Sequence, residues 1–306
     1  MTTAAGVVRL GTRASRLARF QTDQVRQILA RGHQALAFQD IVIATDGDRD
    51  RRTPLPEIGG RGVFTQELEL ALREGTIDLA VHSLKDIPVD PTPGLTLGAI
   101  GMRVDPRDVL IAARAWTLDT LPRSAAVGTC STRRAAQLLA IRPDLRLLPL
   151  RGNVDTRVAK VFAGEFDAIV IAAAGVHRLG LSSAITQYFE PETMLPAPGQ
   201  GALAVQCRAD DEAILGYLRD LDEVLVRSAT DAERGFLEGL GGGCAAPIAA
   251  LGQVRGGQLH LQGMVASVDG KRQLRLETHG PVAEGRELGL ALAKEARARG
   301  AEDLLQ

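Results

Sequence analysis

The 306-residue chain has few aromatic residues, few cysteines and almost no excess of charge of either sign. Aromatic side chains make up 3% of the sequence, so the stacking platforms that bind nucleic-acid bases are scarce. The formal net charge of −1 argues against a protein that binds nucleic acid or membrane surfaces through bulk positive charge. No apolar run approaches the roughly 20 residues of a membrane span. We therefore expect neither nucleic acid nor membrane among its partners.

The three cysteines, Cys130, Cys207 and Cys244, cannot all pair and form no C-x-x-C motif, so we expect neither disulfides nor structural zinc. The five histidines are scattered, without a helical pair at ligand spacing, and we expect no metal. The start "MTTAAGVVRL" lacks the basic and apolar regions of a secretory signal. These features together predict a reducing, cytoplasmic location.

Strands and helices alternate through the first two thirds of the chain. "VVRLG" reads as a strand, and the amphipathic helix after it is capped by Ser15 and predicted to end at Gly32. Two pairs of segments resemble each other in the same order: "LGTRASRLA" with "VGTCSTRRA", and "EGTIDLAVH" with "AGEFDAIVI". These internal similarities predict two similar α/β lobes. After residue 200 short strands, hairpin turns and a helix from about Ala283 indicate a smaller α+β unit.

Residues 46–62, "DGDRDRRTPLPEIGGRG", have no periodicity and are dense in Gly, Pro and charge. A segment of this length without secondary structure is usually functional or disordered. We expect it to act as a lid over the site.

The stretch "IDLAVHSLKDIPVD" is an apolar strand that ends on Lys85 and Asp86, and Pro88 forbids its continuation. A solvated strand end is one interpretation. The other is a site at the carboxyl end of the strand, where open α/β sheets hold their ligands.

Arginine accounts for 32 of the 36 basic residues, and its placement is informative. Several arginines are predicted at strand-to-helix junctions, where they oppose the helix macrodipole unless they bind an anion; they are Arg13, Arg133, Arg134, Arg151, Arg157 and Arg178. Each could instead pair with the protein's own carboxylates. Arginine binds carboxylate or phosphate in bidentate geometry, so the set indicates an anionic ligand.

Two cysteines are candidate nucleophiles. Cys244 follows three glycines in "GLGGGCAAPI", which leaves space beside its sulfur. Cys130 lies near a helix N-terminus and two arginines, which should lower its pKa. Spacing alone does not choose between them.

Five motifs in order, "VHSLKDIP", "GTCSTRRAAQL", "LRGNVDTR", "LPAPGQGA" and the glycine-cysteine loop before Pro247, resemble those of the porphobilinogen deaminase (hydroxymethylbilane synthase) family over essentially the whole chain. The resemblance implies a monomeric transferase that condenses four porphobilinogens head to tail into hydroxymethylbilane, releasing ammonia, in porphyrin (haem) biosynthesis. It implies an α/β fold with two similar type II solute-binding-protein-like lobes and a smaller C-terminal α+β domain. The implied domains are residues 1–101 with 201–219, 106–196 and 222–306.

The resemblance also assigns roles to particular residues. It implies that Cys244 carries a dipyrromethane cofactor through a thioether and that Asp86 is the catalytic carboxylate. The implied cofactor-binding residues are Lys85, Ser83, Thr129, Ser131, Arg133 and Arg134. The implied substrate-binding residues are Arg13, Ser15, Arg151, Arg157, Arg178 and Gln200.

The sequence departs from the family at three places: Cys130 stands where serine is usual, Gly241 replaces a glutamate, and Arg61 replaces a lysine. Rival interpretations remain. A solute-binding protein for a small anion would need an export signal and no cysteine in a glycine loop. A Schiff-base enzyme using Lys85 is disfavoured because Asp86 would raise the pKa of the amine. A thiol hydrolase using Cys244 would need a positioned histidine.

Overall fold

The computed structural model describes residues 6–45, 65–242 and 246–305. Contacts between Cα atoms divide the chain into two compact units, residues 1–103 with 202–227 and residues 104–201 with 228–306. The three-domain boundaries expected from the resemblance stay a prediction. The predicted lid, residues 46–62, and the departure at Arg61 lie outside the described residues. None of the described helices is long and apolar enough to cross a membrane.

The described residues form thirteen strands and nine α-helices. The strands are β1 (Val7–Arg13), β2 (Ala37–Ile43), β3 (Leu79–Ser83), β4 (Leu95–Gly101), β5 (Asp108–Ala112), β6 (Ala126–Gly128), β7 (Arg146–Leu148), β8 (Ala168–Ala172), β9 (Gln187–Tyr188), β10 (Leu203–Arg208), β11 (Ile248–Arg255), β12 (Gln258–Ala266) and β13 (Gln273–Pro281). The α-helices are α1 (Arg16–Gly32), α2 (Gln66–Arg73), α3 (Thr132–Ile141), α4 (Val154–Phe162), α5 (Ala173–Arg178), α6 (Glu212–Leu218), α7 (Val224–Gly239), α8 (Gly285–Ala298) and α9 (Glu302–Leu305).

The first unit, which we call the first lobe, is built on a five-stranded sheet of order β2-β1-β3-β10-β4. β1 runs parallel to β2 and β3, whereas β10 runs antiparallel to β3 and β4. Helix α1 packs its apolar stripe, including Val25 and Leu29, on Leu10 and Leu79 of the sheet. The carboxyl ends of β1 and β3 therefore meet at one edge, where ligands of such sheets bind.

The second unit contains a sheet with the same arrangement, β7-β6-β8-β5-β9, which we call the second lobe. β6 is parallel to β7 and β8, and β5 is antiparallel to β8. Strand by strand, this order repeats the first lobe with one antiparallel strand in the fourth place. The predicted α/β fold with two similar lobes is confirmed by this repeated strand order.

The internal sequence similarities have a structural cause. Asp78 accepts a hydrogen bond at 2.8 Å from the backbone N–H of Arg9 at the start of β1. Asp167 accepts one at 2.7 Å from the N–H of Ala126 at the start of β6. Gly75 and Gly164, which precede these aspartates, have φ of +68° and +80°, a conformation that ends the preceding helix and favours glycine. The Gly-x-x-Asp pattern thus ends a helix and fixes the neighbouring strand.

One predicted helix is confirmed at both ends, and one predicted strand end is wrong in detail. Helix α1 begins after its predicted cap, with Ser15 Oγ accepting from the N–H of Ala18 at 3.2 Å, and ends at Gly32 as predicted. The strand before Lys85 ends at Ser83, and Leu84–Asp86 form a 3₁₀ turn. This local difference leaves the order of elements unchanged.

The C-terminal part of the second unit is an antiparallel sheet of order β11-β12-β13 with helices α7 and α8 against it, and confirms the predicted α+β region. Its terminal helix begins at Gly285 after a 3₁₀ turn, rather than at about Ala283. Phe236 of α7 is buried in the core between the sheet and α8. Gly289 lets the two helices approach, because a Cβ there would lie 2.1 Å from the carbonyl oxygen of Ala232.

Candidate active site

A small cavity of about 60 Å³ lies at the sheet edge of the first lobe, where β1, α1 and β3 meet. Four predicted site residues line it: Arg13, Ser15, Ser83 and Asp86. Arg13 is the last residue of β1, Ser15 is the N-cap of α1, and Ser83 is the last residue of β3. The cavity therefore brings together residues that are up to 73 positions apart through the parallel pairing of two strands.

Asp86 is half-buried and lies on a turn whose other residues are fixed by burial and backbone hydrogen bonds. The preceding Leu84 is fully buried, and its N–H donates to the carbonyl oxygen of Ala202 at 3.0 Å. The N–H of Ile87 closes the 3₁₀ turn on Leu84 O at 3.1 Å. This turn places the Asp86 carboxyl group in the cavity wall. Lys85, also half-buried, lies on the same turn but outside the lining.

Two residues to which the sequence assigned no role, Gln21 and His82, also line this cavity. Gln21 of α1 is buried, and its Nε2 donates to Ser83 Oγ at 2.9 Å. Because Ser83 accepts this bond, its own proton is available for an acceptor in the cavity. His82 is buried beside it, and burial together with the positive charge of Arg13 lowers the pKa of His82 to about 4. The imidazole is therefore neutral at pH 7.

The second lobe places its predicted site residues at the N-terminus of α3, the counterpart of α1. Ser131 is the N-cap, and its Oγ accepts from the N–H of Arg134 at 3.4 Å. Thr129 Oγ1 accepts from the N–H of Ser131 at 3.2 Å. These hydroxyls stabilise the turn that leads into α3, whose second residue is Arg133.

Arg133 and Arg134 share one carboxylate, Asp108 at the start of β5. Arg133 Nη1 lies 2.7 Å from Asp108 Oδ2, and Arg134 Nη2 lies 2.7 Å from Asp108 Oδ1. All three side chains are buried. The neighbouring guanidinium groups offset the burial of Asp108 and hold its pKa well below its usual range. Arg133 and Arg134 therefore do pair with a carboxylate of the protein itself, as one of the two interpretations of the junction arginines expects.

Gln200, predicted to bind substrate, is fully buried in the same cluster. Its Nε2 donates to Pro106 O at 2.7 Å and to Asp108 Oδ1 at 3.0 Å. Its Oε1 accepts from Arg134 Nη2 at 3.5 Å. The Gln200 side chain therefore contacts the groups that hold the arginine pair.

The other three predicted arginines lie at different kinds of position. Arg151 is half-buried in the turn after β7, and Arg157 in the first turns of α4 donates from Nε to Gly152 O at 2.7 Å. Arg178 is not at a helix N-terminus as predicted, because it is the last residue of α5. It is buried and donates from Nη2 to Gly201 O at 2.9 Å, and this burial lowers its pKa to about 10.

The cysteines differ in accessibility. Cys130 is exposed, and its Sγ accepts from the N–H of Leu150 at 3.1 Å. Cys207 is buried within β10, where burial raises the pKa of its thiol to about 11, so it is neither accessible nor ionised at pH 7. Cys244 lies outside the described residues.

Sequence reasoning missed Asp108, Gln21 and His82. The signal for Asp108 was present, since an aspartate opens the otherwise apolar strand "DVLIA". Two adjacent arginines at the buried N-terminus of a helix require a carboxylate, but nothing local identifies which one.

Comparisons with known proteins identify the family of this chain. The family model described as "Porphobilinogen deaminase, dipyromethane cofactor binding domain" matches residues 8–216, and the model of the family's C-terminal domain matches residues 228–298. The "Porphobilinogen deaminase" of Roseiflexus sp. (strain RS-1) is 49% identical over 97% of this chain and 97% of its own length.

The "Porphobilinogen deaminase" of Syntrophus aciditrophicus (strain SB) is 43% identical over 98% of both chains. Among solved structures, "BenM effector binding domain with its effector benzoate" is 14% identical, covering 72% of this chain and 90% of its own, with a TM-score of 0.43. The two family models and the full-length relatives establish that this chain belongs to the porphobilinogen deaminase family.

Proposed function

We propose that this chain is a transferase of porphyrin biosynthesis that condenses four porphobilinogens head to tail into the linear tetrapyrrole hydroxymethylbilane. One ammonia is released at each step, and growth proceeds on a dipyrromethane primer attached to Cys244. The observation that carries the proposal is family membership over nearly the full chain, with the cofactor-binding model matching residues 8–216.

The described residues fit a ligand that carries several carboxylates. Arg133, Arg134 and Asp108 bring two positive charges and one negative charge into a buried cluster. A buried excess of one positive charge is unfavourable unless an anion approaches it. Dipyrromethane carries acetate and propionate side chains and would supply that anion. We propose that Thr129 and Ser131 at the same helix N-terminus, together with Ser83 and Lys85, also bind it.

Bound dipyrromethane supplies the free pyrrole carbon to which the first substrate is joined. The protonated aminomethyl group of porphobilinogen leaves as ammonia when its C–N bond breaks and the electron pair goes to nitrogen. We propose that the Asp86 carboxylate, fixed by the 3₁₀ turn, accepts a hydrogen bond from the pyrrole N–H and stabilises the resulting cation. The same carboxylate would accept the proton that the attacked pyrrole carbon has to lose.

We propose that arginine binding of the acetate and propionate groups holds the substrate for this step, through Arg13, Arg151, Arg157 and Arg178 together with the Ser15 hydroxyl. Hydrogen bonds to charged groups contribute about 1.5–3 kcal/mol each, so a few of them fix a pyrrole firmly. The Arg13–Ser15–Ser83 arrangement around the Asp86 cavity supports this assignment in the first lobe.

The choice of Cys244 as the attachment point rests on the family motif and on what the other thiols do. Cys207 is buried with a raised pKa, which disfavours it as a nucleophile. Cys130 is exposed and accepts a backbone hydrogen bond, and it stands at a position where the family usually has serine. We further propose a cytoplasmic monomer that binds its small-molecule substrate and neither nucleic acid nor membrane.

Intact mass tests the proposal. The native protein should exceed its chain mass by two porphobilinogens minus two ammonias, and Cys244→Ser should lack this increment. Cys130→Ser is the matched control, since it makes the same substitution at an exposed cysteine elsewhere in the chain and should keep the increment. A fully active wild-type protein without added mass would falsify the assignment. Sedimentation of the native protein at the mass of a dimer would contradict the proposed monomer.

A further inference from the structure

Helix α5, whose last residue is Arg178, is short and depends on tertiary contacts for its placement. It has six residues, Ala173–Arg178, whereas isolated helices shorter than about 12 residues are marginal in water. Its N-cap residue is Ala172, whose side chain has no polar group to cap the helix. One face packs in the core of the second lobe through Ala173 and Val176. The N-terminal end is also fixed, because the N–H of Ala173 donates to Arg107 O at 3.0 Å.

The C-terminal end of α5 is held by a hydrogen bond between two side chains. His177 Nε2 lies 2.9 Å from the hydroxyl oxygen of Tyr188 in β9. Tyr188 pairs with Val109 of β5, so the sheet of the second lobe sets its backbone position. A tyrosine hydroxyl can both donate and accept. The bond therefore forms with either neutral tautomer of the imidazole and with its protonated form.

The ring of Tyr188 is also held on its face. The guanidinium carbon of Arg107 lies 4.6 Å from the centroid of the Tyr188 ring, within the range of a cation–π contact. Arg107 pairs in turn with Asp105 at 2.8 Å and with Glu190, and these carboxylates fix its guanidinium. Tyr188 therefore offers His177 a hydroxyl whose position is determined both by the sheet and by Arg107.

We infer that His177 and Tyr188 are positioning residues for Arg178, an inference that rests on the proposed function, in which Arg178 binds a carboxylate of porphobilinogen. Their hydrogen bond fixes the end of α5, and Arg178 is the next residue along that helix. Arg178 is buried and donates from Nη2 to Gly201 O at 2.9 Å. A shift of the helix end would move the Arg178 backbone and redirect its guanidinium, and substrate-positioning groups are sensitive to displacements of about 1 Å.

Tyr188→Phe tests this role, because it removes the hydroxyl and keeps the ring that Arg107 contacts. We expect the KM for porphobilinogen to rise by about three- to tenfold, the effect of losing one hydrogen bond between neutral groups, while kcat stays within about twofold of wild type. Tyr217→Phe is the matched control, because Tyr217 in α6 also packs on a histidine ring, that of His33 at 4.8 Å between centroids, and its KM should equal that of wild type. An unchanged KM in Tyr188→Phe would overturn the inference, whereas wild-type protein that converts no porphobilinogen would instead refute the proposed function.

A double-mutant cycle separates the hydrogen bond from a general loss of stability. If His177 and Tyr188 act through their bond, adding Tyr188→Phe to His177→Ala should raise KM no further. His177→Gln places an amide nitrogen near the site of Nε2, so it can still bond Tyr188 and should keep KM within about twofold of wild type. Hydrogen exchange followed by mass spectrometry, which needs no substrate, should be faster in residues 173–181 of Tyr188→Phe and unchanged in α3. Additive effects on KM, or exchange that rises equally in both segments, would contradict the positioning role.

Discussion

Glu233 of helix α7 offers a sharp test of how the second unit is held together. Its side chain is fully buried, and its two carboxylate oxygens accept from two distant backbone N–H groups. Oε2 accepts from Gly199 at 2.6 Å, next to Gln200, and Oε1 accepts from Gly252 in β11 at 2.7 Å. One carboxylate therefore fixes both the loop that carries Gln200 and a strand of the C-terminal sheet.

Glu233→Gln keeps the shape of the side chain but leaves a single acceptor oxygen. Its NH₂ group would meet one of the two backbone donors, so one charge-assisted bond is lost and a buried N–H is left unsatisfied. Each such bond contributes about 1.5–3 kcal/mol, and an unsatisfied buried donor costs about 1–3 kcal/mol. We expect the free energy of unfolding to fall by about 2–4 kcal/mol.

Urea denaturation followed by far-ultraviolet circular dichroism measures this change. Glu238→Gln on the same helix is the matched control, because Glu238 pairs with Arg286 at 2.5 Å where both side chains are partly exposed. Exposed pairs contribute about 0–1 kcal/mol, so the control should lose no more than that. If Glu233→Gln unfolded within about 0.5 kcal/mol of wild type, the role given to the buried carboxylate would be wrong.

Three further outcomes follow from the first lobe and the helix packing. Asp86→Ala should keep the fold, by circular dichroism, while turnover falls roughly 100-fold; near-normal turnover would remove Asp86 from the chemistry. The pKa of His82 is about 4 in the folded protein against 6.5 unfolded, so the unfolded chain takes up a proton first as pH falls. Wild-type stability should therefore drop by about 2–3 kcal/mol between pH 7 and 4.5 relative to His82→Gln, and urea midpoints that shift in parallel would contradict this. Gly289→Ala should destabilise by about 1–3 kcal/mol or more because its Cβ would meet backbone at 2.1 Å. Gly216→Ala in α6, with open space around it, should stabilise by up to about 1 kcal/mol, so equal melting shifts would refute the packing argument.

The strand-helix order was predictable because its signals are local. Ser15 and Ser131 cap their helices with their own side chains, within three residues along the chain. Gly75 and Gly164 end helices by adopting positive φ. These choices depend on neighbours in sequence, so a single chain reveals them. The same holds for the motifs that indicated the family.

The pairing of distant segments was not predictable in this way. β10 returns from residue 203 to run antiparallel between β3 and β4, and no local pattern in "LAVQCR" specifies that neighbour. Cys207 illustrates the point, because its place in this strand alone makes it buried and unreactive.

The sequence by itself determined two α/β lobes, an α+β region and a set of arginines in positions suited to carboxylates. Tertiary structure decided how those arginines are used. Asp108 meets Arg133 across 25 positions and Gln200 across 92, so only the folded sheet brings them together. Burial then makes the pairing decisive, because a charge removed from water must find its partner within the fold.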